Sequence, residues 1–73
     1  MPEQTDWESL AANILKSEIK RNGLTYAQLV EKLTEIGIID QEVNIRNKLS
    51  RGKFTAAFLL QCLRAMGVRE LRL

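Results

Sequence analysis

Four glycines divide the chain into segments that are long enough for one short helix each and too short for a larger element. Gly23, Gly37, Gly52 and Gly67 each follow a segment in which apolar residues recur every three to four positions, as in an amphipathic helix. Glycine is common just past a helix C-terminus because it adopts a positive φ without strain. The sequence therefore predicts a compact all-α domain with helices at about 6–22, 26–36, 43–51 and 56–66.

Polar residues at the start of these segments match the preferences of helix N-caps. Residues 5–8 and 25–28 each combine a threonine with a glutamate or glutamine three positions later, which is the pattern of a capping box. Thr55 is a third threonine in an N-cap position. The start of the third helix stays ambiguous, since either Asp40 or Asn44 is a suitable cap for it.

The apolar residues predict one small core shared by the four helices. Trp7 is in register with Ile14 on the first helix, so we expect it in the core or at the edge of the core. Cys62 lies among apolar residues of the last helix, as a buried structural thiol does. We also expect Ile38 or Ile39, in the connection before the third helix, to pack under the domain.

The composition argues against several classes of function. The chain has 73 residues, one cysteine and no histidine, so neither an intrachain disulfide nor a usual zinc site is expected. Its carboxylates are scattered, and it lacks an obvious base or nucleophile for catalysis. We therefore expect a single domain with no enzymatic activity, no metal and no cofactor.

The sequence also indicates where the protein is found. No apolar stretch approaches the length of a transmembrane helix. The N-terminal residues are acidic, whereas a signal peptide begins with basic residues followed by apolar ones. We expect a cytoplasmic protein without a membrane partner.

Charge is distributed unevenly along the chain. Residues 1–42 contain four basic and eight acidic residues, a net charge of −4, whereas residues 43–73 contain seven basic residues and one acidic residue, a net charge of +6. A basic patch attracts phosphate groups even when the total charge is small. The asymmetry predicts an anionic partner for the C-terminal half of the chain.

The basic residues are concentrated in the third predicted helix and the turn after it. Ile45 and Leu49 form its apolar side, while its other side is polar and cationic. Asparagine and arginine can make paired hydrogen bonds to base edges in the DNA major groove, and neighbouring basic or hydroxyl side chains can hold phosphates. The predicted base contacts are Asn44, Asn47, Lys48 and Arg51. The predicted phosphate contacts are Thr25, Tyr26, Arg46, Ser50 and Lys53.

Two alternatives concern the partners of the domain. The same basic helix can be the solvated surface of a protein-interaction module, such as an adaptor or an antitoxin-like protein, that does not bind DNA. The C-terminal segment 68–73 can pack onto the first helix, or it can form an edge strand that pairs with a second chain in a homodimer. If DNA is the ligand, we expect a dimer on double-stranded DNA.

Three segments together resemble the helix-turn-helix domains of the lambda-repressor and Cro type. They are residues 24–33, the helix that ends at Arg51-Gly52, and the helix that ends at Gly67. The chain departs from that pattern at Tyr26, where glutamine is common, and in a longer connection between the two motif helices. The resemblance implies a four-helix helix-turn-helix fold with a short C-terminal tail or strand, and DNA binding.

Residues 44–54 and 57–63, together with Trp7 and Leu24-Thr25-Tyr26, are also similar to a family of small bacterial proteins known only as a domain of unknown function. This second similarity covers nearly the whole chain. It implies a helix-turn-helix-like fold and no established activity.

Overall fold

The computed structural model describes residues 6–71, which form four α-helices and no strand. The helices are α1 (Trp7–Arg21), α2 (Tyr26–Glu35), α3 (Glu42–Arg51) and α4 (Ala56–Met66). The prediction of a compact, all-helical fold with four helices is confirmed. None of the helices in the described part of the chain is long and apolar enough to cross a membrane.

The caps agree with the sequence at α2 and α4 and differ at the other two helices. Thr25 and Thr55 accept hydrogen bonds from the backbone amides of Gln28 and Phe58, as predicted. The N-cap of α1 is Asp6, one residue later than predicted, and its carboxylate accepts from the Ser9 amide at 3.1 Å. The residue predicted for that role, Thr5, lies outside the described residues.

Neither predicted cap is the N-cap of α3. That position is taken by Gln41, whose side chain makes no capping hydrogen bond, and Asn44 lies inside the first turn of the helix. Asp40 lies just before the cap and accepts a hydrogen bond from the Gln41 amide at 2.8 Å. One oxygen of the Asp40 carboxylate thus binds the amide of the N-cap residue, and the other is available for a second partner.

The core forms where the helices meet. Helices α1 and α2 each pack against both α3 and α4. Every helix contributes apolar side chains to one buried cluster, and partly buried residues from the connections pack against it. The buried members of the cluster are Leu15, Ile19, Leu29, Leu33, Ile45, Leu49, Phe58, Cys62 and Leu63.

Trp7 lies elsewhere than predicted, whereas the prediction for the connecting isoleucines is confirmed. Trp7 is 72% exposed and outside the core. The buried stripe of α1 runs through Ala12 and Leu15, and Trp7 lies about 80° around the helix from Leu15. Of the two connecting isoleucines, Ile38 packs against the core as expected, whereas Ile39 is 80% exposed.

The described part of the C-terminal tail packs on its own domain. The Val68 amide donates a hydrogen bond to the Leu63 carbonyl at 2.9 Å, and Val68 and Leu71 contact the core cluster. Residues 68–71 form no strand. Residues 68–71 therefore pack on their own domain, strand pairing with a second chain stays a prediction, and the last two residues of the tail lie outside the described range.

Candidate nucleic-acid interface

The outer face of α3 is the main exposed polar surface that the sequence predicted. Ile45 and Leu49 are buried on the inner side of the helix. The opposite side exposes predicted base and phosphate contacts to solvent, without a covering segment in the described part of the chain. These exposed residues are Asn44, Asn47, Ser50 and Arg51.

The C-terminus of α3 is fixed against the N-terminus of α1. Gly52 ends α3 with φ +70° and is buried, and a Cβ atom added to it would lie 2.9 Å from the backbone oxygen of Glu8. Only glycine combines this positive φ with so close a backbone approach. The contact sets the position of Arg51 and Lys53, which flank the glycine.

Arg51 and Lys53 are the two available cations of this surface. Both side chains are exposed, and neither forms an ion pair within residues 6–71. An exposed and unpaired cation can meet a phosphate or a base edge without first breaking a contact inside the protein. The exposed Trp7 precedes Glu8 in the chain and therefore lies near this end of α3.

Lys48 lies at the edge of α3, and its ammonium group already has partners within the protein. Its ammonium nitrogen donates to the Asp40 carboxylate at 3.1 Å and lies 4.3 Å from the centre of the Phe58 ring. The residue is half-buried, unlike Asn44, Asn47, Ser50 and Arg51. Base contact by Lys48 would require loss of both the ion pair and the aromatic contact.

The Asp40 carboxylate is held in its charged form. Partial burial raises its pKa, but hydrogen bonds from the Gln41 amide, the Lys48 ammonium and the Asn44 side chain lower it, and the net result is a pKa below the usual 3.8. Its side chain is 11% exposed. The pair therefore links the α2–α3 connection to the side of α3 that faces α4.

This pair predicts a specific dependence of stability on pH. Because the folded pKa of Asp40 is depressed, its contribution is fully present above about pH 3.8 and is lost as the pH falls through the lower folded value. We expect Lys48→Met to lower the free energy of unfolding at pH 7 by about 1 kcal/mol. Urea denaturation of both proteins at about pH 7 and about pH 2.5, above and below the usual pKa of an aspartate, measures the effect.

Lys32→Met is the matched control, since Lys32 is half-buried and makes no ion pair among the described residues. We expect the loss caused by Lys48→Met to shrink toward that of Lys32→Met at acidic pH. A loss for Lys48→Met that is the same at both pH values would show that the Asp40 pair contributes nothing to stability.

Arg46 and Tyr26 lie together across the α2–α3 contact. The Arg46 guanidinium lies over the Tyr26 ring at 5.8 Å and forms an ion pair with Glu42 one turn earlier. Thr25 precedes Tyr26, and its hydroxyl oxygen and amide are used in the capping box with Gln28. Arg46, Tyr26 and Thr25 therefore lie along one edge of α3. The positive charge of Arg46 is partly neutralised there by Glu42.

The sequence interpretation missed one residue of the exposed face. Val43 begins the third helix predicted from the sequence but was not named among the contacts; it is the second residue of α3 and is 50% exposed. It shares the outer side of α3 with Asn47 and Ser50 at spacings of four and seven residues. Extending the helical period back by one turn from Asn47 would have found it.

Cys62 belongs to the core and not to the surface. Burial raises the pKa of its thiol to about 12, so the group stays protonated at neutral pH. A protonated, buried thiol is neither a nucleophile nor a metal ligand. Within residues 6–71, no three side chains of the histidine, cysteine, aspartate or glutamate type come together as a possible metal site.

Comparison with known proteins gives one family. No curated protein and no solved structure matches the chain at a significant level. A family model described as "Domain of unknown function (DUF6471)" matches residues 7–71. This range contains all four helices, the face of α3 and the contact between Gly52 and Glu8. The chain therefore belongs to the DUF6471 family.

Proposed function

We propose that this domain binds double-stranded DNA by placing the outer face of α3 in the major groove. The observation that carries the proposal is the exposed row of amide, hydroxyl and guanidinium groups on α3, followed by Lys53; neither Arg51 nor Lys53 forms an ion pair with any residue from 6 to 71. An α-helix fits the width of the major groove, and these groups match the donors and acceptors that base edges and phosphates present.

The proposed roles follow the position of each side chain. Asn44, Asn47 and Arg51 read base edges because they are exposed on the outer side of α3. Lys53, just past the helix, holds a phosphate. Lys48 orients α3 through Asp40 in this proposal and is no longer placed among the base contacts.

The remaining phosphate contacts lie on either side of the groove-reading residues. Ser50 is exposed on α3. Arg46, beside Tyr26 and Thr25, approaches a phosphate from the α2 side of the helix. In this arrangement α2 crosses the DNA backbone while α3 enters the groove, as in helix-turn-helix proteins. The contact between α2 and α3 supports this arrangement. The connection between the two helices, residues 36–41, is longer than a tight turn.

The proposal includes a homodimer of a small cytoplasmic transcriptional regulator. Its interface contains the C-terminal segment 68–73 and the adjoining groove of about 1030 Å³, where Ile36 and Leu60 are 42% and 64% exposed. Arg69 and Glu70, which carry opposite charges, line the same groove. A second copy related by a two-fold axis can pair each of these charges with its opposite. Two α3 helices then reach half-sites about 34 Å apart.

Sedimentation tests this interface. We expect the wild-type protein to sediment as a dimer at concentrations of about 10–100 μM, the range of a moderate affinity. Leu60→Glu should shift it to a monomer, because the two-fold axis places two new buried carboxylates in one interface. Ile39→Glu, at an even more exposed site outside the groove, is the control and should remain dimeric. Wild-type protein that stays monomeric would contradict the dimer.

Fluorescence anisotropy with a labelled random-sequence duplex tests DNA binding itself. We expect micromolar or tighter binding at about 50 mM salt, since phosphate contacts dominate non-specific affinity at low ionic strength. Absence of binding under this condition would favour the protein-interaction module. The exposed Ile36 and Leu60 would then be the first candidates for its contact surface.

A further inference from the structure

Val43 lies at the N-terminal end of the proposed groove-reading face. At 100° per residue, Val43, Asn47 and Ser50 fall within about 60° of one another on α3, and the buried Ile45 lies about 200° around the helix from Val43. Val43 is 50% exposed although it is apolar. Its side chain is therefore partly open to solvent at the N-terminal end of the polar row.

The surroundings of Val43 give its side chain no packing role in the core. Its neighbour Glu42, the acidic residue in the first turn of α3, is paired with Arg46, so its charge is offset beside Val43. Val43 is absent from both the buried core cluster and the partly buried residues that pack against it. Its position in the first turn is also the part of a recognition helix that approaches base edges most closely.

We propose that Val43 is a specificity-determining residue that contacts the 5-methyl group of a thymine in the major groove. This inference rests on the proposed DNA binding of α3. Thymine is the only base that presents a methyl group in the major groove, and small apolar side chains recognise it by direct contact. The neighbouring asparagines would read adjacent base pairs, so Val43 adds selection for thymine at one position.

The experiment begins with the duplex that the wild-type protein enriches from a random library. Each thymine of that duplex is replaced singly by deoxyuridine, which removes the methyl group and leaves base pairing intact. Binding of the full chain is measured for the wild type, Val43→Ala and Ile39→Ala. Ile39 is the control because it is an exposed aliphatic residue outside α3. Thermal melting confirms that each variant is folded.

We expect one thymine at which deoxyuridine weakens wild-type binding about fourfold, the value of one buried methyl group. Val43→Ala should bind the thymine duplex more weakly and lose sensitivity at that position alone. Ile39→Ala should keep the wild-type pattern. Uniform insensitivity of the wild type, or sensitivity retained in Val43→Ala, would overturn the inference while leaving DNA binding intact. If no duplex is enriched or bound, the proposed function fails and the inference fails with it.

Discussion

Replacing Gly52 by alanine is expected to lower the free energy of unfolding by about 3 kcal/mol. The positive φ of +70° is strained for a residue with a side chain, at about 1–2 kcal/mol. The new Cβ would also lie 2.9 Å from the Glu8 backbone oxygen, so α1 and α3 must separate at an overpacking cost of about 1–3 kcal/mol. A domain of this size has a total stability of roughly 4–11 kcal/mol. Thermal denaturation should therefore show a melting temperature lowered by more than about 10 °C.

Gly23→Ala separates the two causes. Gly23 has nearly the same φ, +68°, but a Cβ atom there would have no atom within 4 Å. We expect this control to lose only the conformational part, about 1–2 kcal/mol. Equal losses at Gly52 and Gly23 would show that the contact between the ends of α1 and α3 is not a close one.

Replacing both Arg51 and Lys53 by alanine should produce the largest loss of DNA binding. Arg51→Ala alone is expected to cost about 1–3 kcal/mol on a selected duplex and less on a random one, because a base contact is lost. Lys53→Ala should weaken binding to both duplexes and reduce the salt slope by about one. Anisotropy titrations of the two single variants and the double variant measure both quantities.

The control for the double variant removes the same charge elsewhere. Lys16 and Lys20 are both exposed on α1, so Lys16→Ala combined with Lys20→Ala changes the net charge equally without touching α3. We expect near wild-type affinity for it. Similar losses for the two double variants would indicate attraction by total charge. Equal loss on selected and random duplexes for Arg51→Ala would rule out its assignment as a base contact.

The fold was predictable because the signals at helix ends are local. A glycine with positive φ lies one or two residues past the last residue of each helix. Thr25 and Thr55 cap the N-termini of two of the helices. The observed helix ends lie within one residue of the predicted ones. The cap of α1 was misplaced because Thr5 and Asp6 are adjacent and both suit the role.

The candidate site was less predictable because it depends on which side of a helix meets its neighbours. Helical spacing places Lys48 beside Asn44 and Arg51, but the spacing alone does not show that α4 brings Phe58 to the Lys48 side. Asp40 was considered only as a cap, whereas its carboxylate binds Lys48 eight residues later. Such contacts across helices depend on tertiary packing, which a single sequence does not display.

The exposed apolar residues show the same limit. An apolar pattern indicates which residues can be buried, but a core of four short helices has room for only some of them. Trp7 and Val43 both remain largely or partly in solvent, one beside the C-terminal end of α3 and the other in its first turn. Both of them therefore lie on or near the proposed interface.

The salt dependence of duplex binding tests the central proposal most directly. The wild-type protein is titrated into a labelled duplex at about 50 and 200 mM salt, the range over which phosphate contacts weaken most visibly. We predict micromolar or tighter binding at the lower salt concentration and a loss of roughly tenfold or more at the higher one, with a shallower dependence when Arg51 and Lys53 are alanine. No binding at about 50 mM salt, or binding that is insensitive to salt, would contradict DNA recognition by α3.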